Sequence, residues 1–281
     1  LIVVRTRAEL AEGLSRLHPP GGDTLALVPT MGFLHEGHLS LVDLAAELGD
    51  RVAVSIFVNP LQFGPAEDLS SYPRDEKRDL ELLEARGADL VFAPSTEEMY
   101  PDGDPRITVS PGALGNRLCG AFRPGHFRGV LTVVARLFGL FRPDVAVFGR
   151  KDFQQAVLIR RMVGDLELRV RVETGPIVRE RDGLAMSSRN TYLNDEERHD
   201  ARGLHGALYA ARRLYEGGEE RADVLLEEVR KVVAEHRRLE LQYAELVDPD
   251  TLDPLMLARD GSVIALAAFC GTTRLIDNME L

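Results

Sequence analysis

Two patterns of apolar and polar positions divide the 281 residues. In roughly the first 175, short apolar runs alternate with stretches of helical spacing. Leu1–Val4, Thr24–Val28, Val52–Val58, Leu90–Phe92, Asp144–Phe148 and Leu168–Val172 read as strands. Arg74–Arg86, Phe127–Phe141 and Phe153–Met162 read as helices among them. Strands rich in Val, Ile and Leu on both faces, separated by helices, predict a parallel sheet covered on both sides, an α/β domain over residues 1–175. Past Gly175-Pro176 the pattern changes. Asn194 followed by Glu197 signals a helix start, and Ala201, Leu204, Leu208, Ala211 and Tyr215 mark one apolar stripe. A second helix, Ala222–His236, precedes alternating runs at Leu241–Val247, Val263–Phe269 and Thr273–Ile276. That order predicts a smaller α+β domain with an antiparallel sheet over residues 176–281.

In parallel sheets of this kind ligands lie beyond the carboxyl ends of the strands. Three polar loops occupy such ends: Thr30–His38, Asn59–Gly64 and Gly149–Asp152, which the pattern therefore expects to converge on one face. The first is the most informative. In Pro29-Thr30-Met31-Gly32-Phe33-Leu34-His35-Glu36-Gly37-His38, two histidines sit three apart at a strand-to-helix turn. Leu41, Leu44, Ala45 and Leu48 continue it as an amphipathic helix. A helix N-terminus offers unpaired N–H groups and the positive end of a dipole, which suit phosphate. Imidazoles placed there can donate to a polyphosphate, and Gly37 permits close approach. A metal pair is the alternative, but no third ligand stands at a familiar spacing.

Other motifs are individually weaker. Lys151, in Gly149-Arg150-Lys151-Asp152, suits charge neutralisation on a transferring phosphoryl group, although lysines at helix starts are usually solvated. Gln154 and Gln155 begin the next helix; one of them can point inward, although glutamine on a helix is normally exposed. Met186-Ser187-Ser188-Arg189-Asn190 supplies two hydroxyls and an arginine that suit a triphosphate, or a capping cluster ahead of the helix at Asp195. Arg123, His126 and Arg128 form a basic spot that either attracts an anion or caps a helix. The loop Gly64–Pro73 with Tyr72 reads equally as a cover or an ordinary connection.

Composition narrows the class. The length favours two domains over one core. A formal net charge of -11 argues against a broad nucleic-acid surface. Cys119 and Cys270 fit no metal or redox spacing, so a reduced, cytoplasmic setting is expected. No apolar run is long enough to span a membrane, and the first residues lack signal-peptide order.

Together, Pro29–His38, Val58–Phe63, Arg123–Phe127, Gly149–Gln155 and Ala185–Asn190 resemble, in order, the pantoate–β-alanine ligase family of His-x-Gly-His nucleotidyltransferases. The resemblance implies a Rossmann-like first domain, a smaller second domain acting as a lid, and a two-step reaction with ATP and Mg²⁺ through pantoyl adenylate. It implies catalytic roles for His35, His38, Lys151, Ser187, Ser188 and Arg189, with His38 as proton donor. ATP contacts are implied at Met31, Gly32, Phe33, Leu34, Glu36, Gly37, Gly149, Arg150, Asp152, Val178 and Met186. Gln62 and Gln155 match the pantoate positions, and Gln62 with Asn59 borders the β-alanine site. Asp79 matches an acidic position near metal and phosphates in some relatives. Magnesium is expected to arrive mainly on ATP phosphates, with no direct protein ligand assigned, and the working form to be a homodimer. The family usually has glutamate where Arg150 stands; solvent exposure is the expected consequence. Two other readings share the turn: a transferase that stops after moving a nucleotide onto a phosphorylated acceptor, and a silent ATP sensor. The paired glutamines disfavour the first, and retention of the cationic set disfavours the second.

Overall fold

A computed structural model describes residues 1–17, 22–65 and 67–281. The chain divides into two compact units. The first comprises Leu1–Gly115, Arg123–Arg150 and Leu158–Pro176; the second comprises Asn116–Phe122, Lys151–Val157 and Ile177–Leu281. Beyond the change at Pro176, two short segments that the sequence pattern does not separate therefore belong with the second unit.

In chain order the first part runs β1 (Ile2–Val4), α1 (Arg7–Leu17), β2 (Leu25–Thr30), α2 (Glu36–Leu48), β3 (Arg51–Ile56), α3 (Glu76–Ala85), β4 (Leu90–Phe92) and α4 (Thr96–Met99). Then come α5 (Leu118–Phe122), α6 (His126–Phe141), β5 (Val145–Gly149), α7 (Phe153–Asp165) and β6 (Arg171–Gly175). The remainder is α8 (Asp195–Ala201), α9 (Gly203–Glu216), α10 (Ala222–Ala234), β7 (Leu239–Val247), β8 (Val263–Cys270) and β9 (Thr273–Glu280).

The first unit is a six-stranded, all-parallel sheet in the order β1-β4-β3-β2-β5-β6. From β2 the chain winds one way through β3, then returns to β5 on the other side, so the winding reverses between β2 and β5. Ligand crevices form outside the carboxyl ends at such a switch point. The loops after β2, β3 and β5 begin there on neighbouring strands. The core explains why these runs become strands: Ala26, Val28, Val52, Val54, Val91, Val145 and Val147 are buried against α2 and α3 residues such as Leu39, Val42 and Leu83.

The second unit contains the antiparallel sheet β7-β8-β9. Leu204, Leu208 and Ala211 of α9 and Leu225, Val229 and Val233 of α10 share its core with Ile264, Leu266 and Ala268. The Asn194–Glu197 signal is realised as a reciprocal capping box on α8. Among the described residues no helix is long and apolar enough to cross a membrane.

Four expectations shift. The last strand of the parallel sheet begins at Arg171, not Leu168, because Leu168 N–H closes the end of α7 onto Val163 O and Glu167 turns left-handed (φ +50°). The stripe from Ala201 to Tyr215 is broken at Arg202, dividing α8 from α9. Strand β9 continues past Ile276 to Glu280. Finally α1, absent from the sequence reading, is started by Thr6-x-x-Glu9: Glu9 accepts from Thr6 N–H at 3.0 Å while Thr6 Oγ1 accepts from Glu9 N–H at 3.2 Å.

Close approach decides one packing contact in the first unit. A Cβ added to Gly129 of α6 would stand 2.3 Å from Leu61 O and 2.7 Å from Gln62 N. Gly129→Ala must therefore push the 59–63 segment away. It is expected to cost about 1–3 kcal/mol of stability, as overpacking typically does, read from the urea midpoint at unchanged m. A midpoint equal to the parent's would show that the segment yields freely.

Candidate active site

The turn after β2 is built from two left-handed residues in a row, Gly32 (φ +78°) and Phe33 (φ +50°). For phenylalanine that conformation is unfavourable and needs external support. Buried Asp79 at the start of α3 supplies it, its two carboxylate oxygens accepting from Phe33 N–H and Leu34 N–H, each at 2.7 Å. Arg78 donates to Leu34 O at 2.9 Å and lies over the Phe33 ring. Thr30 Oγ1 donates to Ser55 O at 2.8 Å and accepts from Gly32 N–H at 3.2 Å. Burial pushes the Asp79 carboxyl above its ordinary range, partly opposed by those two N–H donors.

The turn delivers His35 as the N-cap of α2. The cap is reciprocal. His35 Nδ1 accepts from Gly37 N–H at 3.1 Å, and His38 Nδ1 accepts from His35 N–H at 3.4 Å. The ring centroids are 4.0 Å apart. A nitrogen that accepts a backbone N–H carries no proton, so in each neutral ring the proton sits on Nε2. This tautomer follows from the hydrogen-bond pattern. Each ring is thereby a donor through Nε2 at the positive end of a helix. Glu36 is exposed, Met31 and Gly37 half-buried, and Leu34 buried. Among the described residues no group of three or more His, Cys, Asp or Glu side chains is placed to hold a metal ion.

After β3, Asn59 caps a short 3-10 turn, Pro60–Gln62. Its buried side chain is wholly engaged: Oδ1 accepts from Tyr100 OH at 3.0 Å and Leu61 N–H at 3.3 Å, while Nδ2 donates to Gln62 Oε1 at 3.1 Å and Gly129 O at 3.2 Å. Burial pushes the Tyr100 hydroxyl up to about 12, so it remains a donor near neutral pH. Gln62 Nε2 meets only a weak acceptor, Met31 Sδ, at 3.2 Å. The basic spot is spoken for. Arg123 Nε donates to Glu67 Oε1 at 2.8 Å, its Nη1 donates to His126 Nε2 at 2.9 Å, and His126 Nδ1–H therefore donates to Gln62 O at 2.8 Å. Although burial opposes it, Arg123 holds Glu67 below the usual carboxylate range. The N-cap of α6 is Gly125, with no side-chain cap, so these residues do not cap that helix; Arg128 is exposed. In the loop Gly64–Pro73, where Ala66 lies outside the described residues, Tyr72 is buried with its ring edge-on to Phe63.

After β5, Gly149 and Arg150 belong to the first unit, and Arg150 is exposed as expected. In the second unit, Lys151 is half-buried and Asp152 exposed; among the described residues no carboxylate pairs with the Lys151 ammonium. Gln154 is the inward glutamine, its Nε2 donating to Arg117 O at 2.8 Å, whereas Gln155 is half-buried. Val178 and Met186 are joined by Met186 N–H to Val178 O at 3.0 Å. Ser187 starts a 3-10 turn with its Oγ accepting from Arg189 N–H at 3.3 Å; Ser188 and Asn190 are buried, and Arg189 is half-buried.

The pantoate–β-alanine ligase family model matches residues 2–280. The chain belongs to this family. It is thereby an amide-forming ligase that condenses pantoate with β-alanine using ATP. Pantothenate synthetase of Thermoanaerobacter sp. (strain X514) is 56% identical over 258 residues, covering 92% of this chain and 91% of that one. The crystal structure of pantothenate synthetase from Thermus thermophilus superposes with a TM-score of 0.93 at 46% identity, covering 100% of this chain and 99% of that one. The ligase from Francisella tularensis, complexed with β,γ-ATP and β-alanine, gives a TM-score of 0.82 at 31% identity, covering 100% and 97%.

Several supporting residues escape the sequence reading. Tyr100, Glu67 and Arg78 act through neighbours distant in sequence, and no local pattern marks them. Asp79→Ala strips the acceptors from Phe33 N–H and Leu34 N–H. We expect a loss of about 2–4 kcal/mol in unfolding free energy, with Asp79→Asn, which keeps one acceptor, in between. Equal stability of all three proteins by urea denaturation would refute the support assigned to Asp79.

Proposed function

We propose that this member of the family works in two steps through pantoyl adenylate. A carboxylate oxygen of (R)-pantoate bonds to the α-phosphorus of ATP as the bond to the bridging oxygen breaks and diphosphate leaves. The β-alanine amine then attacks the acyl carbon, loses a proton and expels AMP, leaving the amide. The reciprocal histidine cap carries this reading. Two Nε2–H donors at a helix N-terminus stabilise charge that grows on the phosphates, and they do so without a change of protonation state. His38 is the donor to the leaving phosphate and His35 its partner. Lys151, with no competing carboxylate among the described residues, neutralises the polyphosphate together with Ser187, Ser188 and Arg189. Met31, Gly149–Asp152 and Val178 contact the nucleotide.

Gln62 and Gln155 hold pantoate. A neutral amide orients a carboxylate without a tight ion pair that would weaken its attack. Gln62 Nε2 can exchange its weak sulfur contact for the substrate, while Asn59 holds Gln62 Oε1 from behind. Asn59 thus serves the β-alanine side through Gln62, its own polar atoms being engaged. For Mg²⁺, the donor set fits delivery on ATP: both Asp79 oxygens are taken by backbone N–H groups, and the metal adds charge neutralisation at the phosphates. A cytoplasmic homodimer is the working form we adopt, open to sedimentation and fractionation.

ATP–diphosphate exchange, measured with Mg²⁺ and without β-alanine, is expected to require (R)-pantoate. His38→Ala should lower its rate at least about 100-fold, the scale of losing one transition-state donor, while the cap bond it also removes costs only about 1 kcal/mol of stability. Gln155→Ala should raise KM for pantoate far more than KM for ATP. Pantoate-independent exchange, or full exchange in the His38 variant, would overturn the mechanism.

A further inference from the structure

Strand β9 carries an anomaly at its centre. Successive residues of a strand point to opposite faces, so at most one of two neighbours should be buried when one face meets solvent. Asp277 and Asn278 are both buried, each 3% exposed. Burying two polar side chains is costly unless both find partners. Here the partners come from two different loops of the second unit.

Asp277 takes the Arg179 guanidinium in a two-pronged pair, Oδ2 to Nη1 at 2.6 Å and Oδ1 to Nη2 at 3.0 Å. Arg179 Nη1 also donates to Gly183 O at 3.1 Å, across the turn of a small hairpin. That hairpin is closed by the bridge Arg179↔Ala185, by Glu180 N–H to Leu184 O at 2.8 Å and by Met186 N–H to Val178 O. The residues that leave it are Met186, Ser187, Ser188 and Arg189. On the opposite face, Asn278 Nδ2 donates to Lys151 O at 3.0 Å. The two anchors are themselves joined, since Asn278 N–H donates to Asp277 Oδ1 at 2.8 Å.

We propose that Asp277 and Asn278 are a positioning pair that fixes the Lys151 backbone and the Val178–Arg189 hairpin relative to each other. The proposal rests on the roles assigned above to Lys151 and Ser187–Arg189. A strand position needed only for packing is served as well or better by apolar residues, because a buried ion pair seldom adds net stability over a hydrophobic substitute. What the polar pair adds is direction. Two adjacent strand residues hold a backbone carbonyl on one side and a guanidinium fork on the other, so a cation and a hydroxyl pair from separate loops keep one spacing. Displacing such groups by about 1 Å is enough to cost orders of magnitude in rate.

Two measurements on the full chain test this. The first is amide hydrogen exchange in segments 149–155 and 178–190 without ligand. Asn278→Asp, which keeps the volume but loses the donor, should speed exchange in 149–155, and Asp277→Asn should speed it in 178–190. The second is pantoate-dependent ATP–diphosphate exchange, assayed well below the unfolding midpoint of every variant. Both variants should lose on the order of ten-fold in kcat, with KM for ATP and pantoate moving less than about three-fold. Arg179→Lys should lose kcat in the same way, because a lysine cannot make the two-pronged bond. Unchanged amide exchange in both segments overturns the pair, as does a lowered unfolding midpoint with an unchanged kcat. If the parent protein itself shows no pantoate-dependent exchange, the proposed function fails, and the amide-exchange result alone then decides the pair.

Discussion

The start of α2 sets the terms for the rest of the first unit. A helix that begins directly after a buried strand leaves its first N–H groups without partners, and those groups must be satisfied or the helix frays. Serine or aspartate would do this more simply. Here the His35 imidazole takes Gly37 N–H, His35 O takes His38 and Leu39 N–H, and the His38 imidazole reaches back to the N–H of His35 itself. The chemical consequence is large: accepting at Nδ1 places the proton on Nε2 in both rings. Protonating either ring would break a cap bond and add charge at the positive end of the helix. The fold thereby fixes the tautomer of both neutral rings. That selection depends in turn on a left-handed Phe33, which Asp79 and Arg78 hold from both sides.

A second constraint concerns where positive charge is left unpaired. In the first unit the conspicuous basic side chain, Arg123, is tied to Glu67 and to His126, and its effect is passed on as a hydrogen bond to the Gln62 carbonyl. An arginine neutralised in this way no longer binds a carboxylate strongly. Gln62 is pre-oriented by Asn59, which is held by a tyrosine whose burial keeps it protonated. In the second unit Lys151 has no carboxylate partner among the described residues. Under the mechanism proposed above, this leaves one anion nucleophilic while another is neutralised.

Much of this is legible in the sequence, for identifiable reasons. The parallel sheet shows because strands buried on both faces read as unbroken apolar runs. The histidine turn shows because strand, turn and amphipathic helix follow one another without interruption. Pattern reading fails where polar residues perform buried work. The alternation that marks β9 stops at Ile276 because Asp277 and Asn278 interrupt it, yet both are buried and bonded. Leu168 looks like the start of a strand because it is apolar, yet its backbone N–H closes the end of α7 onto Val163 O. The helix α1 is easily passed over because its apolar stripe is short, with Leu10 and Leu14 buried, although Thr6 and Glu9 spell out its cap. Gln154 and Gln155 are indistinguishable as letters; only the carbonyl of Arg117 separates the anchor from the half-buried neighbour.

An acidic chain that handles a polyanion must also keep its own carboxylates from repelling it. Glu36 poses the problem most sharply, since it lies between the two histidines at the first position of α2. A negative side chain there favours the helix dipole but opposes phosphate at the same N-terminus. Arg86, at the end of α3, resolves the conflict by drawing Glu36 aside at 2.7 Å while also pairing with Asp43. Such an exposed pair adds little stability. Its value is directional, holding the Glu36 carboxylate on the Arg86 guanidinium. Over distances beyond about 8 Å, salt screens the remaining surface charge, so the net charge of -11 does not set the local potential. At the α2 N-terminus that potential is set by the few groups within reach: two imidazoles, the positive end of the helix dipole, and an exposed glutamate paired with Arg86.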